Sequence, residues 1–511
     1  MRTVPAFLIL LGVAACAILP GRSERVEEPC ELGEDVVGGQ VEPGARDVVV
    51  PPRKKAWEAA LGGEEAARPY VTSRLVGWPV RALADRRKLP ADDRDFVARL
   101  ARDTWRGIAA FTDGENHLPV DNVRLGAKSV TPADARVGDY TNVSSLGLHL
   151  LATVAAYELE LVSAEEATAR LRGVITTLMG LETHQGFFFN YYDTTSLERT
   201  SNFISFVDSS WLTAGLMVVR QTFPELAADA TAMIDRQDYR FFYDAERRRM
   251  SHGYYVHRGT RSLFHYGVLY AESRLGSLIA IGKGDVPESH WFAMVRTFPP
   301  SCRWQTQPPH GRRRKVVAGH PVVGGWYEWR GSKYVPSWGG SMFEALMPTL
   351  VLDEARYAGP SLGENDAAHV AVQRRFALEQ LSYPVWGISP SAKPRGGYGE
   401  YGVKVLGALG YDAGVVTPHA TGLALAVAPD VAIANLRKLA EFYDIYGDFG
   451  FYDAVEPVSG EVARTYLALD QAMTFIAAAN YLKDGCIQKR FAADPIAAKA
   501  FPILAEERFF D

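Results

Sequence analysis

Between about Asp92 and Leu482 the chain repeats one theme: apolar residues at three- and four-residue spacing, interrupted by loops rich in glycine, proline and aromatics. Leu146, Leu150, Val154 and Tyr157 draw one such stripe, widened by Leu151 and Leu161. Ser163-Ala-Glu-Glu166 then supplies a helix cap with acids in the first turn, ahead of Leu171, Val174 and Leu178. Leu212, Leu216 and Val219 mark another helix, as do Leu275, Leu278 and Ile279, and the segments 431–442 and 468–482 continue the pattern. The long loops run over 186–195, 301–340 and 387–402. Paired helices joined by alternately short and long loops predict an all-α fold of the (α/α) toroid kind, with a multi-domain helical bundle as the alternative. No short solenoid period is present.

At 511 residues and 47% apolar composition, one large helical domain plus an extension can bury a sizeable core. The formal charge of -5 carries no acidic block, and the longest basic run, in Gly311-Arg-Arg-Arg-Lys315, reads as a solvated loop. That balance speaks against nucleic-acid binding, which needs a basic face. At the N-terminus, Arg2 and the apolar stretch from Phe7 to Ala14 read as a signal sequence too short to span a bilayer. Val13-Ala14-Ala15-Cys16 resembles a bacterial lipobox, so Cys16 is expected to carry a lipid; cleavage near Ala15 as an ordinary signal peptide is the alternative. The expected organisation is a signal peptide over 1–16, a polar linker or accessory extension over 17–85, the helical domain over 86–490 and a C-terminal tail over 491–511. The expected location is the cell envelope, on a membrane anchor, or outside the cell if the lipobox is not used. Cys30, Cys302 and Cys486 lack metal-ligand spacing, although an exported chain could join two of them in a disulfide.

Several carboxylates stand in aromatic, glycine-rich settings. Asp193 ends the run Phe187-Phe-Phe-Asn190-Tyr191-Tyr192-Asp193, Asp208 or Ser209 opens a helix as its cap, and Glu272 precedes Arg274 in an apolar helical stretch. Glu344 falls just inside a helix after the small-residue turn Gly339-Gly-Ser341. Residues two apart on a helix do not face each other, so Arg274 is not expected to neutralise Glu272. Glycoside hydrolysis needs two carboxyl groups across the scissile bond, one protonated and one ionised. Glu272 and Glu344 fit that need, with Asp139, Asp193, Asp208, Asp453 and Asp470 competing for the second role. His290, Trp291 and His419 sit in aromatic or proline-bounded segments suited to sugar contacts, whereas His252 and His257 read as surface or structural. Tyr191, Tyr192, Trp291, Trp326 and Trp338 are candidate stacking platforms. There is no GxSxG elbow, P-loop, HExxH or dinucleotide fingerprint.

Taken in order, these segments resemble the glycoamylase-like family of bacterial glycoside hydrolases. The resemblance rests on Thr141-Asn142, the run 186–193, Val207-Asp-Ser209, Ala271-Glu-Ser-Arg-Leu275 and Gly284-Asp with His290-Trp291. It continues through Trp338-Gly-Gly-Ser-Met-Phe-Glu344, Trp386-Gly-Ile-Ser389, Pro418-His-Ala420, Gly450-Phe-Tyr-Asp453 and Tyr466-Leu-Ala-Leu-Asp470-Gln471. That family includes endo-β-1,2-glucanases and a domain of cyclic β-1,2-glucan synthases. The resemblance implies an (α/α)6 barrel (toroid) with a long cleft, no cofactor or metal, and acidic catalysis. It makes Glu272 the general acid or acid/base and Glu344 the nucleophile or a substrate-binding carboxylate. Hydrolytic relatives invert and use other acids, which keeps Asp208 and Asp139 as candidates. The chain departs from the family pattern at 139–145, at Tyr191 in place of tryptophan, and at Pro390 where synthases carry an acid. The expectation is an exported glycoside hydrolase for a bacterial glucan, β-1,2-glucan foremost. A non-catalytic glucan-binding lipoprotein and a polysaccharide lyase on a similar toroid are the rival readings.

Overall fold

The computed structural model describes residues 56–78, 89–125 and 135–511; the lipobox at Cys16 and most of the 17–85 extension lie outside them. Among the described residues, helices occur in two environments. α1 (Val143–Glu158), α2 (Phe206–Thr222), α3 (Arg274–Lys283), α4 (Met342–Leu346), α5 (Pro418–Leu423) and α6 (Ala468–Leu482) are buried on almost every side. The helices Asp93–Ala110, Ala164–Gly180, Ala227–Asp235, Glu364–Arg375 and Pro429–Phe442 bury one stripe and leave the other face in water. A helix apolar all round is stable only when other elements surround it, and a closed ring inside a second ring supplies those surroundings.

The inner ring closes through consecutive neighbours: α1 packs on α2, α2 on α3, α4 on α5, α5 on α6, and α6 returns to α1. Between α3 and α4 the link is polar. The buried Arg274 guanidinium donates to the Glu344 and Ala345 carbonyls at 3.1 and 2.6 Å, and to the Glu354 carboxylate at 2.7 and 2.8 Å. α1 and α2 approach so closely that a Cβ on Gly147 would stand 2.3 Å from the Trp211 carbonyl oxygen, so glycine is required there.

The all-α expectation needs one amendment. Short strands of two to four residues form ten small sheets among the described residues. Tyr140–Asn142, Phe203–Ser205 and Thr465–Leu467 run directly into α1, α2 and α6. Asn122–Leu125 pairs antiparallel with both Ala135–Gly138 and Thr465–Leu467, setting Val123 opposite Val137 and Tyr466. These ladders satisfy backbone groups in the long loops and hold those loops at the N-terminal ends of the inner helices.

Both ends of the described chain correct the expected boundaries. The segment expected as a tail is part of the domain: Pro495–Ala500 packs on α3, and Phe509 is buried. Two ion pairs hold it, Arg220 with Asp494 and Arg296 with Glu507, each at 2.6 Å. Within the expected extension, Glu64–Arg74 is helical and the nearly buried Arg74 grips both oxygens of Asp113 at 2.7 and 2.9 Å. Cys302 is disulfide-bonded, and Cys486 is a free, buried thiol. No helix among the described residues is long and apolar enough to cross a membrane.

Candidate active site at the mouth of the inner ring

Each inner helix presents one polar side chain from its N-terminal end. Asn142 caps α1, Asp208 lies in the first turn of α2, and Glu272 sits two residues ahead of α3. Glu344, His419 and Asp470 lie in the first turns of α4, α5 and α6. These groups meet at one end of the barrel, so the inner helices direct their positive dipole ends toward the acids. Asn142 donates to Asp208 at 3.2 Å, Glu272 feels the charges of Glu344 and Asp208, and His419 lies 3.0 Å from Asp470.

Glu272 is half-buried in the turn before α3, not inside a helix as expected, and Arg274 turns away from it toward Glu354. Burial, then the charge of Glu344, raise its carboxyl to about 7, with Asp208 adding to the effect. A carboxyl poised there is protonated in a large fraction of molecules near neutral pH. Glu344 is also shifted upward, but its surroundings differ. Burial raises it, but the ionised form accepts from the Gly339 and Ser341 N–H groups at 2.8 and 3.1 Å and from the Ser337 and Ser341 hydroxyls at 2.9 and 3.0 Å. The local sequence enforces this arrangement: Ser341 and Glu344 form a capping box, and Gly340 takes φ +78° where a Cβ would strike the Val403 carbonyl at 2.2 Å. Asp208 is not the cap of α2, as expected; Ser205 fills that role and leaves the Asp208 carboxylate facing Asn142.

Glu272 and Glu344 share a cavity of about 270 Å³ with Trp338, Tyr411, Glu400 and His252. Trp338 leans on Trp304 at 5.5 Å between ring centroids. Tyr411 feels burial and then the charges of Glu344, Glu400 and Glu272, which keep its hydroxyl protonated and show that the three acids converge on it. Glu400 and Tyr411 escaped the sequence reading because they lie in loops with no periodic signal. His252, expected to be surface or structural, lines the cavity with its ring 4.2 Å from that of Tyr266, while His257 is exposed.

The structure takes other candidates away from this cavity. Asp193 is buried with Oδ1 accepting from the Thr195 and Ser196 N–H groups at 2.8 and 2.7 Å, so it shapes a turn. The Tyr192 hydroxyl donates to the Glu182 carbonyl at 2.6 Å and accepts from the Phe189 N–H at 2.8 Å, which makes it a core brace and not a platform. His290 is wholly buried, bonded to the Arg248 carbonyl and the Ser277 hydroxyl at 2.8 Å each, and burial lowers it to about 4. Trp291 beside it is core. Trp326 stands in the 301–340 loop under the Lys333 ammonium, 4.1 Å from its ring centroid. Tyr191 is half-buried and packs edge-on against Tyr140 near Asp208, and Asn190 orders the entry to α1 and α2 through its backbone. Asp139 precedes the strand Tyr140–Asn142, its carbonyl accepting from the Thr194 N–H at 3.1 Å.

His419, Asp453 and Asp470 form a second cluster, around a pocket of only about 10 Å³ that is separate from the Glu272 cavity. Burial raises Asp470 to about 7, and burial followed by the Asp470 charge raises Asp453 well above the carboxylate range. The mouth therefore has an open side at α2–α4 and a sealed side at α5–α6.

Fold and site together define a class: a toroid of paired helices with carboxylates at the N-terminal ends of its inner ring. Residues 307–495 match the Glycoamylase family model, described as "Putative glucoamylase", in agreement with the resemblance read from the motifs. The cyclic beta-(1,2)-glucan synthase NdvB of Rhizobium meliloti (strain 1021) is 24% identical over an alignment covering 86% of this chain, and the chain spans only about a fifth (20%) of that relative's length. The endo-beta-1,2-glucanase of Chitinophaga pinensis, solved with sophorotriose and glucose, superposes with a TM-score of 0.61 at 17% identity over 81% of this chain and 99% of that one. A Bacteroides uniformis ATCC 8492 structure, described as a "putative glucoamylase", gives 0.64 at 18% identity over 83% and 100%. At such identities the solved structures establish the shared toroidal fold.

Proposed function

We propose that this protein is a glycoside hydrolase acting on β-1,2-glucan, with Glu272 as the proton donor. The observation that carries the reading is the unequal pair in one cavity: Glu272 raised to about 7 by burial and its neighbours, and Glu344 held by hydrogen-bond donors that favour its anion. Hydrolysis asks for this division, one carboxyl to protonate the departing glycosidic oxygen and one carboxylate to support the anomeric carbon. As the bond between the anomeric carbon and the bridging oxygen breaks, the Glu272 proton passes to that oxygen. Glu344 would be the anionic partner, and Asp208, which accepts from Asn142 and whose charge acts on Glu272, would be the carboxylate that activates a water. Trp338 and Tyr411 form the aromatic wall against which a glucose ring would stack. The choice of β-1,2-glucan is supported by the linkage shared by NdvB, a cyclic β-(1,2)-glucan synthase, and the C. pinensis endo-β-1,2-glucanase.

The test is product analysis of soluble β-1,2-glucan incubated with the protein, wild type beside Glu272→Gln. Short saturated oligosaccharides from the wild type alone support the reading, and the anomer released, read by NMR, distinguishes attack by Glu344 (retention) from attack by water (inversion). Ultraviolet-absorbing unsaturated ends from a uronic-acid polysaccharide, with no products from the glucan, would replace it with a lyase. Binding without products from any glucan would replace it with a binding protein. We also propose export with a lipid on Cys16; mass spectrometry of the membrane-extracted protein, with and without Cys16→Ala, tests that anchor.

A further inference from the structure

His419 on α5, Asp470 on α6 and Asp453 on the loop following Gly450–Phe451 come from three separate elements, and each is about 2% exposed. One ligand-capable atom from each lies within 4.8 Å of the others. His419 Nδ1 approaches Asp470 Oδ2 to 3.0 Å, yet neither atom has a hydrogen bond of acceptable direction. Asp470 Oδ1 and Asp453 Oδ1 accept from no N–H or hydroxyl donor, and the two carboxyl groups stand within hydrogen-bond reach of each other. Buried carboxylate oxygens without donors are costly. A close approach that is not a hydrogen bond is compatible with two ligands on one ion, since atoms about 2.0–2.2 Å from a common metal stand roughly 3–3.5 Å apart.

We propose that His419, Asp453 and Asp470 form a divalent-cation site that staples α5, α6 and the intervening loop. One nitrogen and two carboxylate donors suit Zn²⁺ or Mn²⁺ better than Ca²⁺ or Mg²⁺, which take oxygen ligands throughout. The supporting shell is in place: Asp453 Oδ2 accepts the Ala392 N–H at 2.6 Å, which fixes the carboxylate and leaves Oδ1 directed at the cluster. The adjoining pocket of about 10 Å³, bordered by Tyr452, Gln471 and Thr474, is the size of one water and would supply a fourth ligand. Its dimensions exclude a sugar ring, so the ion's role is to hold the sealed side of the barrel together.

The experiment uses the full chain, stripped with a chelator and titrated with ZnCl₂ and MnCl₂ by calorimetry. Crystals soaked in ZnCl₂ are then measured at the zinc edge. The expected result is one ion per chain, an anomalous peak among the three side chains and a higher melting temperature. In Asp470→Asn and His419→Gln the stoichiometric ion should bind on the order of 10–100-fold more weakly or be lost. Circular dichroism confirms that the variants fold, and His419→Gln serves if Asp470→Asn does not. No binding, a peak elsewhere on the molecule, or affinity unchanged in the folded variants would overturn the proposal and leave a shared proton as what neutralises the two acids.

Discussion

The two sides of the barrel mouth are built from the same part, a polar residue at the N-terminal end of a buried helix, and they differ in what covers them. Over α2–α4 the loops stand back, leaving about 270 Å³ between Glu272, Glu344 and the aromatic wall. Over α5 and α6, Phe451, Tyr452 and the Ala392 backbone close down until about 10 Å³ remains. Burial raises a carboxyl on both sides, Glu272 and Asp470 each to about 7. A perturbed acid alone therefore does not locate a reaction; an acid beside substrate-sized space, with a partner held as the anion, is the stronger indicator.

The largest effect that would break this contrast is on rate. Glu272→Gln keeps the side chain's shape and removes the proton, so kcat on β-1,2-glucan should fall by roughly two to four orders of magnitude. The fold should tolerate the change. Folded Glu272 binds its proton more tightly than the unfolded chain does, its carboxyl standing near 7 against an ordinary 4.5. The wild type thus loses stability as pH rises through that window, and Glu272→Gln should melt higher than wild type at pH 8. A variant that is both inactive and less stable at pH 8 would count against the assigned role.

Next in size is the brace beneath the open side. Arg274 and Glu354 are both fully buried and bonded at 2.7 and 2.8 Å. Arg274→Met would leave the Glu354 carboxylate buried without its partner and free the Glu344 and Ala345 carbonyls. A loss of about 3–5 kcal/mol is expected in urea unfolding. A loss below about 1 kcal/mol would show that the α3–α4 junction is held by apolar packing alone.

A smaller effect sharpens the reading of the unequal pair. If Glu272 must be protonated, activity falls as pH rises through about 7. The Glu344 charge is the second-largest cause of that position. Removing it in Glu344→Gln should lower the Glu272 carboxyl and move the alkaline limb of the residual activity to lower pH. A limb that stays in place would mean that another group controls it.

The alternation of helices and loops was legible because amphipathic periodicity survives in long outer helices such as Ala164–Gly180, whose cap at Ser163 fell where expected. Inside the ring the stripes of α1, α2, α3 and α6 were legible too, whereas α4 and α5, five and six residues long, are too short to show a period. For the site, Asp208, Glu272, Glu344, His419 and Asp470 stand in or just ahead of the first turns of inner helices and reach the mouth, Glu272 from a turn where a helix was expected. Loop chemistry did not. Asp193 and Tyr192 adjoin a suggestive aromatic run, but their hydrogen bonds turn them inward. Glu400 reaches the cavity from a glycine-rich loop whose path no local pattern encodes.

The smallest expected effect tests that inward turn. The Tyr192 hydroxyl bridges the Glu182 carbonyl and the Phe189 N–H, which ties the aromatic run ahead of α2 to the end of the outer helix Ala164–Gly180. Tyr192→Phe keeps the buried ring and deletes the bridge, leaving two backbone groups to find water or remain unpaired. The expected cost is about 1–3 kcal/mol of stability, with KM and kcat for β-1,2-glucan within about threefold of wild type, since every atom lost lies away from the cavity. If KM rose tenfold while the melting temperature held, Tyr192 would belong with Trp338 and Tyr411 as a sugar platform, and the open side of the mouth would extend across the α1–α2 junction.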